Sequence, residues 1–488
     1  MRILLYNYAQ PLLDGHAGGG VTVYLRMLVG ALRHDGHRVY TLSSGTRRTP
    51  WGGIPVLRRR EDSLMVYNAP SVAPNVFAFH HPRIYLESAA LDGLPQRLHE
   101  EIGELDVLHF HNLEGLTLGF FTALRSQFPR AAIVLTAHNY GLLCNQTNLW
   151  HAGSEACTDF DGGVACQQCA TVPDLRRRQM LINGITTSLR DHPWLERALR
   201  LPATVAQRRL ARGLQPACRA PDPGAPTTVT YANREAPAYA LQRETNIDLT
   251  RCVFDRVLAV SRRTRDVLVS RGVAPSDCDV MYIGTRHWSR LAESARKFPR
   301  PGALHLGYLG YARKDKGFFV LLEALRLLPE AVARTCTLTV AARVDDPQVR
   351  PLIEDAASRL AELRLFDGYT HDQLTSILAP VDCGIVPPLW EDCLPQVAIE
   401  FVTSGVPILC SDRGGAGEIA DDPAFLFAAG DSAALADRIV SMHNGTLSLQ
   451  RFWSRPLRLR SEEDHVRELI ELYARVLEAR RSAGSEAG

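Results

Sequence analysis

Between positions 390 and 419 the chain concentrates residues suited to holding an anion and a polyol together. The run WEDCLPQVAIEF sets Asp392 just before a helix start and Glu400 eight residues later, inside that helix. At Leu394, Pro395, Gln396 and Val397 the first helical turn leaves backbone N–H groups pointing outward, where anionic or hydroxyl ligands bind. The run SDRGGAGEI is a glycine-rich strand-to-helix turn. At Gly414 and Gly415, with Glu418 following, its backbone can approach a phosphate or sugar closely. Upstream, RKDKG places Arg313 and Lys316 at the start of another helix. A lysine there meets phosphate together with the positive end of the helix dipole.

These residue types match three demands made by moving a glycosyl group off a nucleoside diphosphate. A pyrophosphate leaving group must be neutralised, ribose and sugar hydroxyls gripped, and charge at the sugar's first carbon stabilised away from water. The first half of the chain offers further parts. Gly18, Gly19 and Gly20 follow the apolar run ILLYNY. A lone GGG marks a turn, but after a first strand and before a helix it suits a phosphate. DVLHFHN and AAIVLTAHN are apolar runs that end in histidine-bearing polar clusters. In open parallel sheets ligands bind beyond the carboxyl ends of strands. His109 reads as a packed histidine, His111 divides evenly between packing and an acceptor-side contact, and His138 reads as a site residue.

The elements that must position these residues repeat one grammar twice. ILLYNY, the glycine turn, a helix whose apolar face is Val23, Met27, Ala31 and Leu32, and the strand HRVYTLSS form a βαβ opening. FDRVLAVS and DVMYIG close that half. Residues 285–302 are polar, end in PRPG, and read as a linker. ALHLGYLG, CTLTVAAR, DCGIVPP, VPILCSD and AFLFAAGD then alternate with helical segments. Two doubly wound α/β domains facing a cleft follow from this pattern. Their expected limits are 1–285, with a cysteine-rich and basic insertion at about 140–250, and 286–460. A long terminal helix over 461–488 has Val466, Leu469, Ile470, Tyr473 and Leu477 on one face.

The same motifs, in order from residue 1 to 419, resemble glycosyltransferase family 4, of the GT-B fold. They are the glycine loop, Gly36-His37, DVLHFH, TAHN, LAVS, DKG, Asp392 and Glu400 around LP, GVP at 405–407, and SDRGGAGE. The resemblance implies a retaining transferase that needs no metal for its chemistry and uses a UDP- or GDP-sugar class donor. It implies that Glu400 binds the donor ribose and that Asp392 and the amides near Gln396 hold the donor sugar. It further implies that Lys316 neutralises the pyrophosphate, that the 18–20 loop lies on the phosphate next to the sugar, and that His138 sits beside the reacting carbon. The leaving phosphate helps to deprotonate the acceptor, a glycan or lipid-linked glycan, so no protein nucleophile is required. In this fold the last helix crosses back onto the first domain. Four departures stand out: Asp392 stands where the family often has glutamate; Tyr311 occupies an arginine position, leaving Arg313 to reach the phosphate; Asn139 replaces an aspartate; and CTLTVAARVDD lacks a glycine.

Other features carry alternatives. Cys144, Cys157, Cys166 and Cys169 end in a C-x-x-C and could hold a structural zinc, remain free thiols, or form disulfides or undergo redox chemistry. Asp159 with Asp161, and Asp277 with Asp279, are D-x-D pairs of the sort that carry a divalent cation in transferases of another fold. Neither closes a strand of a nucleotide-binding unit, so chance is the better reading. Nine arginines fall between positions 176 and 212 against Asp191 and Glu196, with Trp194, Leu195, Leu199 and Leu201 interleaved. That stretch is either a solvated helical insertion or a surface for an anionic membrane.

The 488 residues exceed one ordinary core, and 46% apolar with 22% charged content describes a folded globular chain. A net charge of +2 with no nucleic-acid motif argues against nucleic acid as a partner. No leader-like start and no apolar run of roughly 18 residues appear, so a cytoplasmic location, with peripheral contact at the membrane's inner face, is expected. Two other functions fit the same residues: a sugar-nucleotide-binding protein without transfer activity, and an epimerase of the same fold, which would need further carboxylates in the cleft.

Overall fold

The computed structural model describes residues 1–14, 19–49, 51–74, 82–169, 173–191, 235–285, 287–293, 302–344 and 346–486. Gly18, the arginine-rich stretch beyond residue 191 and the PDPGAP segment lie outside the described residues.

The first sheet has eight strands. Across it run Cys278–Val280, Arg256–Ala259, Ala132–Ala137, Val107–Phe110, Arg2–Tyr6, Arg38–Arg47, Ser63–Tyr67 and Val56–Arg60. All neighbours are parallel except the last pair, which is antiparallel. The central strands are buried along nearly their whole length because helices cover both faces, which explains their unbroken apolar runs. The second sheet has six parallel strands: Glu362–Asp367, Cys336–Arg343, Leu304–Tyr311, Cys383–Val386, Ile408–Ser411 and Leu426–Phe427. Two parallel α/β domains result.

The segments joining the domains run side by side. Gly284–Thr285 pairs in parallel with Arg460–Ser461, so the outgoing and returning chains form a small two-stranded tie. A side chain at Gly284 would strike the Ser461 carbonyl and His465, which is why glycine stands there. The expected linker is not wholly irregular, since Trp288–Glu293 is helical. The terminal helix, Glu462–Glu486, lies against the first domain. Tyr24 and His465 share a 2.7 Å hydrogen bond, His109 and Tyr473 one of 2.6 Å, and Arg480 donates to Asp255 at 2.6 Å.

The first helix, Gly19–His34, differs from the sequence reading in its face. It buries Thr22, Tyr24, Leu25, Leu28, Val29 and Leu32 rather than Val23, Met27 and Ala31. Its inner face is turned by one residue because Tyr24 must reach the terminal helix, a demand invisible in local periodicity. The terminal helix buries Val466, Leu469, Tyr473 and Leu477 as expected, and adds Leu472 and Val476.

Candidate active site

The carboxyl ends of both sheets carry the candidate residues, and several of them meet. Asp392, almost fully buried, accepts a 2.7 Å hydrogen bond from Lys316 Nζ. The ammonium also lies 4.7 Å from the centre of the Trp390 ring, whose face attracts a cation. Lys316 is placed there by Gly317, which adopts φ +68° beside the Pro387 carbonyl and opens the helix Phe318–Leu327. Glu400 is buried on the helix Gln396–Thr403 and accepts a 2.6 Å hydrogen bond from Tyr369. His371 Nδ1 stands 3.5 Å from its other oxygen. Burial first, and then the Glu400 charge, pushes the Tyr369 hydroxyl well above its ordinary range, so it stays a donor. Tyr369 and His371 escaped the sequence reading; their position just past the strand Glu362–Asp367 was the available signal.

Glu391, next to Asp392 in sequence, faces another way. Arg263 of the first domain holds it through two hydrogen bonds of 2.8 and 2.5 Å, Arg413 adds one of 2.9 Å, and the Gly414 amide one of 3.1 Å. Burial alone would raise its carboxyl; these donors hold it below the usual range. Glu391 therefore ties the two domains together and leaves the cleft to Asp392.

At the glycine-rich turn Gly414, Gly415 and Glu418 make contacts within the chain. The Gly414 amide goes to Glu391 and the Gly415 amide to the Asp392 carbonyl at 2.9 Å. A side chain on Gly414 would fall 2.1 Å from that same carbonyl, and one on Gly415 would fall 2.3 Å from the Cys393 carbonyl. Both glycines let residues 392–393 lie flat on the turn, which aims Asp392 at Lys316. Glu418 accepts from the Arg262 and Arg263 amides and from the Tyr282 hydroxyl, at 2.9, 2.6 and 2.6 Å. It thus sits on the N-terminus of the first-domain helix Arg262–Ser270.

Gln396 and Val397 open the helix that carries Glu400, with no side chain capping it. A side chain on Gly20 would come 2.8 Å from Gln396 Cγ, so the first turn of the helix Gly19–His34 rests on the start of this second-domain helix. Val397 lies against Gly310, where an added Cβ would sit 3.7 Å from it. Gly19, with φ +62°, starts the first helix. Arg313 is not poised alone: it forms a two-point pair with Asp315 and lies 5.7 Å from the Tyr311 ring centre.

On the first-domain side the histidines form one stack. His111 Nδ1 and His138 Nε2 are 3.1 Å apart, and the His109 and His111 ring centres are 4.1 Å apart. His109 uses both nitrogens, on Tyr473 and on Thr136, as a packed histidine does. His138 is half-buried, packs 5.1 Å from the Tyr24 ring centre, and has no partner for Nδ1 among the described residues. Burial, then the charge of His465, lowers His138 to about 3. His109 and His111 are likewise held well below the ordinary range, by burial first and by a neighbouring histidine second, His138 for His109 and His109 for His111. All three are therefore neutral near pH 7 and act as hydrogen-bonding groups rather than cations. Nearby, Glu114 is buried and accepts from Asn139 at 3.2 Å; it too was not singled out from sequence.

The four cysteines share one region, and burial followed by the neighbouring thiols pushes Cys166 up to about 12. Cys144, Cys157, Cys166 and Cys169 are all free thiols. Among the described residues no three histidine, cysteine or acidic side chains are arranged to hold a metal ion. The D-x-D pairs are likewise spent locally: Asp159 accepts from the Asp161 amide at 2.9 Å, and Asp279 lies 3.6 Å from Arg256.

The family described as Glycosyltransferase Family 4 matches residues 18–158, and that described as Glycosyl transferases group 1 matches residues 300–444. No curated protein matches the chain. Solved structures match it end to end. The sucrose-phosphate synthase of Thermosynechococcus elongatus shares 14% identity at a TM-score of 0.54, over 98% of this chain and 100% of the other. The UDP-forming alpha,alpha-trehalose-phosphate synthase of Burkholderia vietnamiensis shares 13% at 0.51, over 100% and 98%. An E. coli structure titled as trehalose-6-phosphate bound with UDP-2-fluoro glucose shares 14% at 0.51, over 99% and 98%. At these identities the likeness is one of fold, two Rossmann-like domains in the GT-B arrangement.

Proposed function

We propose a specific reaction for this chain, which is a family-4-like glycosyltransferase of the GT-B fold: retaining transfer of a sugar from a nucleoside-diphosphate sugar to a hydroxyl of a glycan or lipid-linked glycan, in the assembly of a polysaccharide or surface glycan. The observation that carries it is the Lys316–Asp392 pair at the mouth of the Glu400 helix, with Gly20 of the first helix resting on Gln396 from the opposite domain. Two domains thereby converge on one point with a cation, two buried carboxylates and uncapped amides.

In this reading Lys316 exchanges part of its bond to Asp392 for the donor's pyrophosphate. Asp392 is then released to accept from a sugar hydroxyl. Glu400, positioned by Tyr369, accepts from the ribose. The bond between the sugar's first carbon and the phosphate oxygen breaks, and the acceptor oxygen bonds to the same face of that carbon. The acceptor's proton passes to the leaving phosphate, and a nucleoside diphosphate departs. Neutral His138 offers Nδ1 as a hydrogen-bond partner without adding positive charge beside a carbon that is itself becoming positive. A uridine donor is supported by the bound UDP-2-fluoro glucose and UDP-forming activity named for two structures of the same fold.

One observation favours a second reading, donor binding without transfer. Tyr311 stands in an arginine's place and Arg313 is paired with Asp315, so a second phosphate cation is not delivered ready-made. Incubation with a panel of UDP- and GDP-sugars and a mixed glycan acceptor separates the two. Release of nucleoside diphosphate matched by glycosylated product is expected. Tight binding of a donor with no release under any acceptor would replace the transferase reading with the binding one.

A further inference from the structure

Asp392 stands between two residues that the first domain grips. On one side is Glu391, whose two oxygens accept from Arg263 at 2.8 and 2.5 Å. On the other is Cys393, whose carbonyl accepts from Ser261 Oγ at 2.7 Å, with Thr264 Oγ1 3.3 Å from the same oxygen. All three gripping residues belong to the start of one helix, Arg262–Ser270, with Ser261 as its N-cap. Ser261 and Thr264 are fully buried there.

The fit is specific on both sides. Ser261 Oγ also accepts from the Thr264 amide at 3.1 Å, so the hydroxyl that meets Cys393 is itself fixed by capping its own helix. Gly415 is bare where it faces this serine: an added Cβ would fall 2.7 Å from Ser261 Cβ and push the helix start away. Glu418 returns the contact by accepting from the Arg262 and Arg263 amides, which are free donors at a helix start. The Gly415 amide adds a bond to the Asp392 carbonyl at 2.9 Å. Residues 391–393 are thus pinned at each position, and the Asp392 side chain is left facing Lys316.

We propose that Arg263, with Ser261 beside it, is a positioning residue of the donor site: the first domain sets where the Asp392 carboxylate stands, by holding Glu391 and Cys393, and so governs recognition of the donor's sugar. The inference rests on the reading of Asp392 as the group that accepts from a sugar hydroxyl. Arg263 acts through Glu391, one residue away from Asp392, and needs no contact with the donor. Misplacing a positioned group by about 1 Å can cost up to about 10²-fold. The effect must fall on the sugar half of the donor, which Asp392 meets, and spare the nucleoside diphosphate half, which is assigned to Lys316 and Glu400.

The test is calorimetry on the full chain with the panel of UDP- and GDP-sugars, and with UDP and GDP as sugarless probes. Arg263→Gln leaves Glu391 with Arg413 and the Gly414 amide, so the variant should fold, and thermal melting checks that it does. Its Kd for the sugar donor should rise about tenfold, and its Kd for the matching nucleoside diphosphate should stay within about twofold. Arg263→Lys should restore part of the loss, since a lysine supplies the charge without the two-point geometry. Ser261→Ala should weaken the sugar donor by about threefold. Arg262→Gln, which removes an exposed pair with Asp421 from the same helix, should stay within about twofold of wild type for both probes. In an Asp392→Asn background the effect of Arg263→Gln should vanish, because the route runs through that carboxylate. Three results would overturn the proposal: a sugar-donor Kd for Arg263→Gln within about twofold of wild type, an equal loss for sugar donor and nucleoside diphosphate, or an undiminished loss in the Asp392→Asn background. A wild type that binds no nucleotide sugar would instead sink the donor reading itself, and this inference with it.

Discussion

The two sides of the cleft solve opposite electrostatic problems. The second domain brings full charges together and balances them in pairs: Lys316 with Asp392, Arg313 with Asp315, and Glu391 with Arg263 and Arg413. The first domain brings titratable rings together and keeps them neutral: among the described residues no carboxylate is hydrogen-bonded to His109, His111 or His138, and burial is the leading cause of their lowered basicity. The difference teaches how labour is divided. A leaving pyrophosphate needs cations, whereas a carbon gaining positive charge is served by a neutral, hydrogen-bonding wall.

The comparison is broken most severely at Lys316. Lys316→Ala should lower kcat/KM about 10² to 10³-fold, the cost of removing one preorganised charge from a transition state. It also strands the buried Asp392, so thermal unfolding should be followed beside the kinetics. A variant within threefold of wild type would show that the second domain's paired charges are structural. Glu400→Ala comes next. Loss of a hydrogen bond to a charged group costs about 1.5 to 3 kcal/mol, which calorimetry would read as a 10- to 100-fold weaker donor Kd. Unchanged affinity would remove Glu400 from the donor site.

Acid sharpens the comparison from the other side. Burial, chiefly, holds His465 to about 4 and His138 to about 3, below the 6.5 of an unfolded histidine. Between those values the unfolded chain binds more protons, so stability is fully present above pH 6.5 and falls as pH drops toward the folded values. At pH 5 each such histidine removes about 2 kcal/mol. The lowered carboxylates Glu391, Asp421 and Asp422 add their loss only in more acidic solution, toward and below their ordinary values. Melting temperature should therefore begin to fall near pH 6.5, and replacing His465 with Gln should soften that onset. A flat profile down to pH 5 would mean that the histidines are not neutral and buried.

Legibility in the sequence followed the range of the interactions involved. The doubly wound sheets were readable because buried parallel strands demand unbroken apolar runs, as in ILLYNY and AAIVLTAHN. The register that selects Asp392 over Glu391 was readable from the position of LP. The destination of Glu391 was not, because Arg263 lies more than a hundred positions away, in the other domain. The glycines at 414 and 415 were readable as a close approach, but not as an approach by residues 392–393. Tyr369, His371 and Glu114 carry no local signature beyond a place at a strand's end, since their meaning comes from what faces them. The turned face of the first helix has the same origin: Tyr24 answers to His465, on the last helix of the chain.

That last helix supplies the smallest effect and the sharpest test of the neutral wall. Tyr473 meets His109 Nδ1 at 2.6 Å, the His109 ring stacks on His111 at 4.1 Å, and His111 meets His138 at 3.1 Å. Tyr473→Phe removes one buried hydrogen bond and no volume beyond an oxygen, so stability should fall by about 1 kcal/mol. If the stack only packs, kcat/KM should change no more than stability does and its pH profile should keep its shape. If the stack fixes which nitrogen of His138 carries the proton, freeing His109 to change tautomer should lower kcat several-fold with the donor KM unchanged. The Lys316 and Glu400 variants would instead move donor binding. A drop in kcat without a change in donor affinity would therefore assign the terminal helix a positioning role at the reacting carbon, on the side of the cleft where the neutral histidines stack.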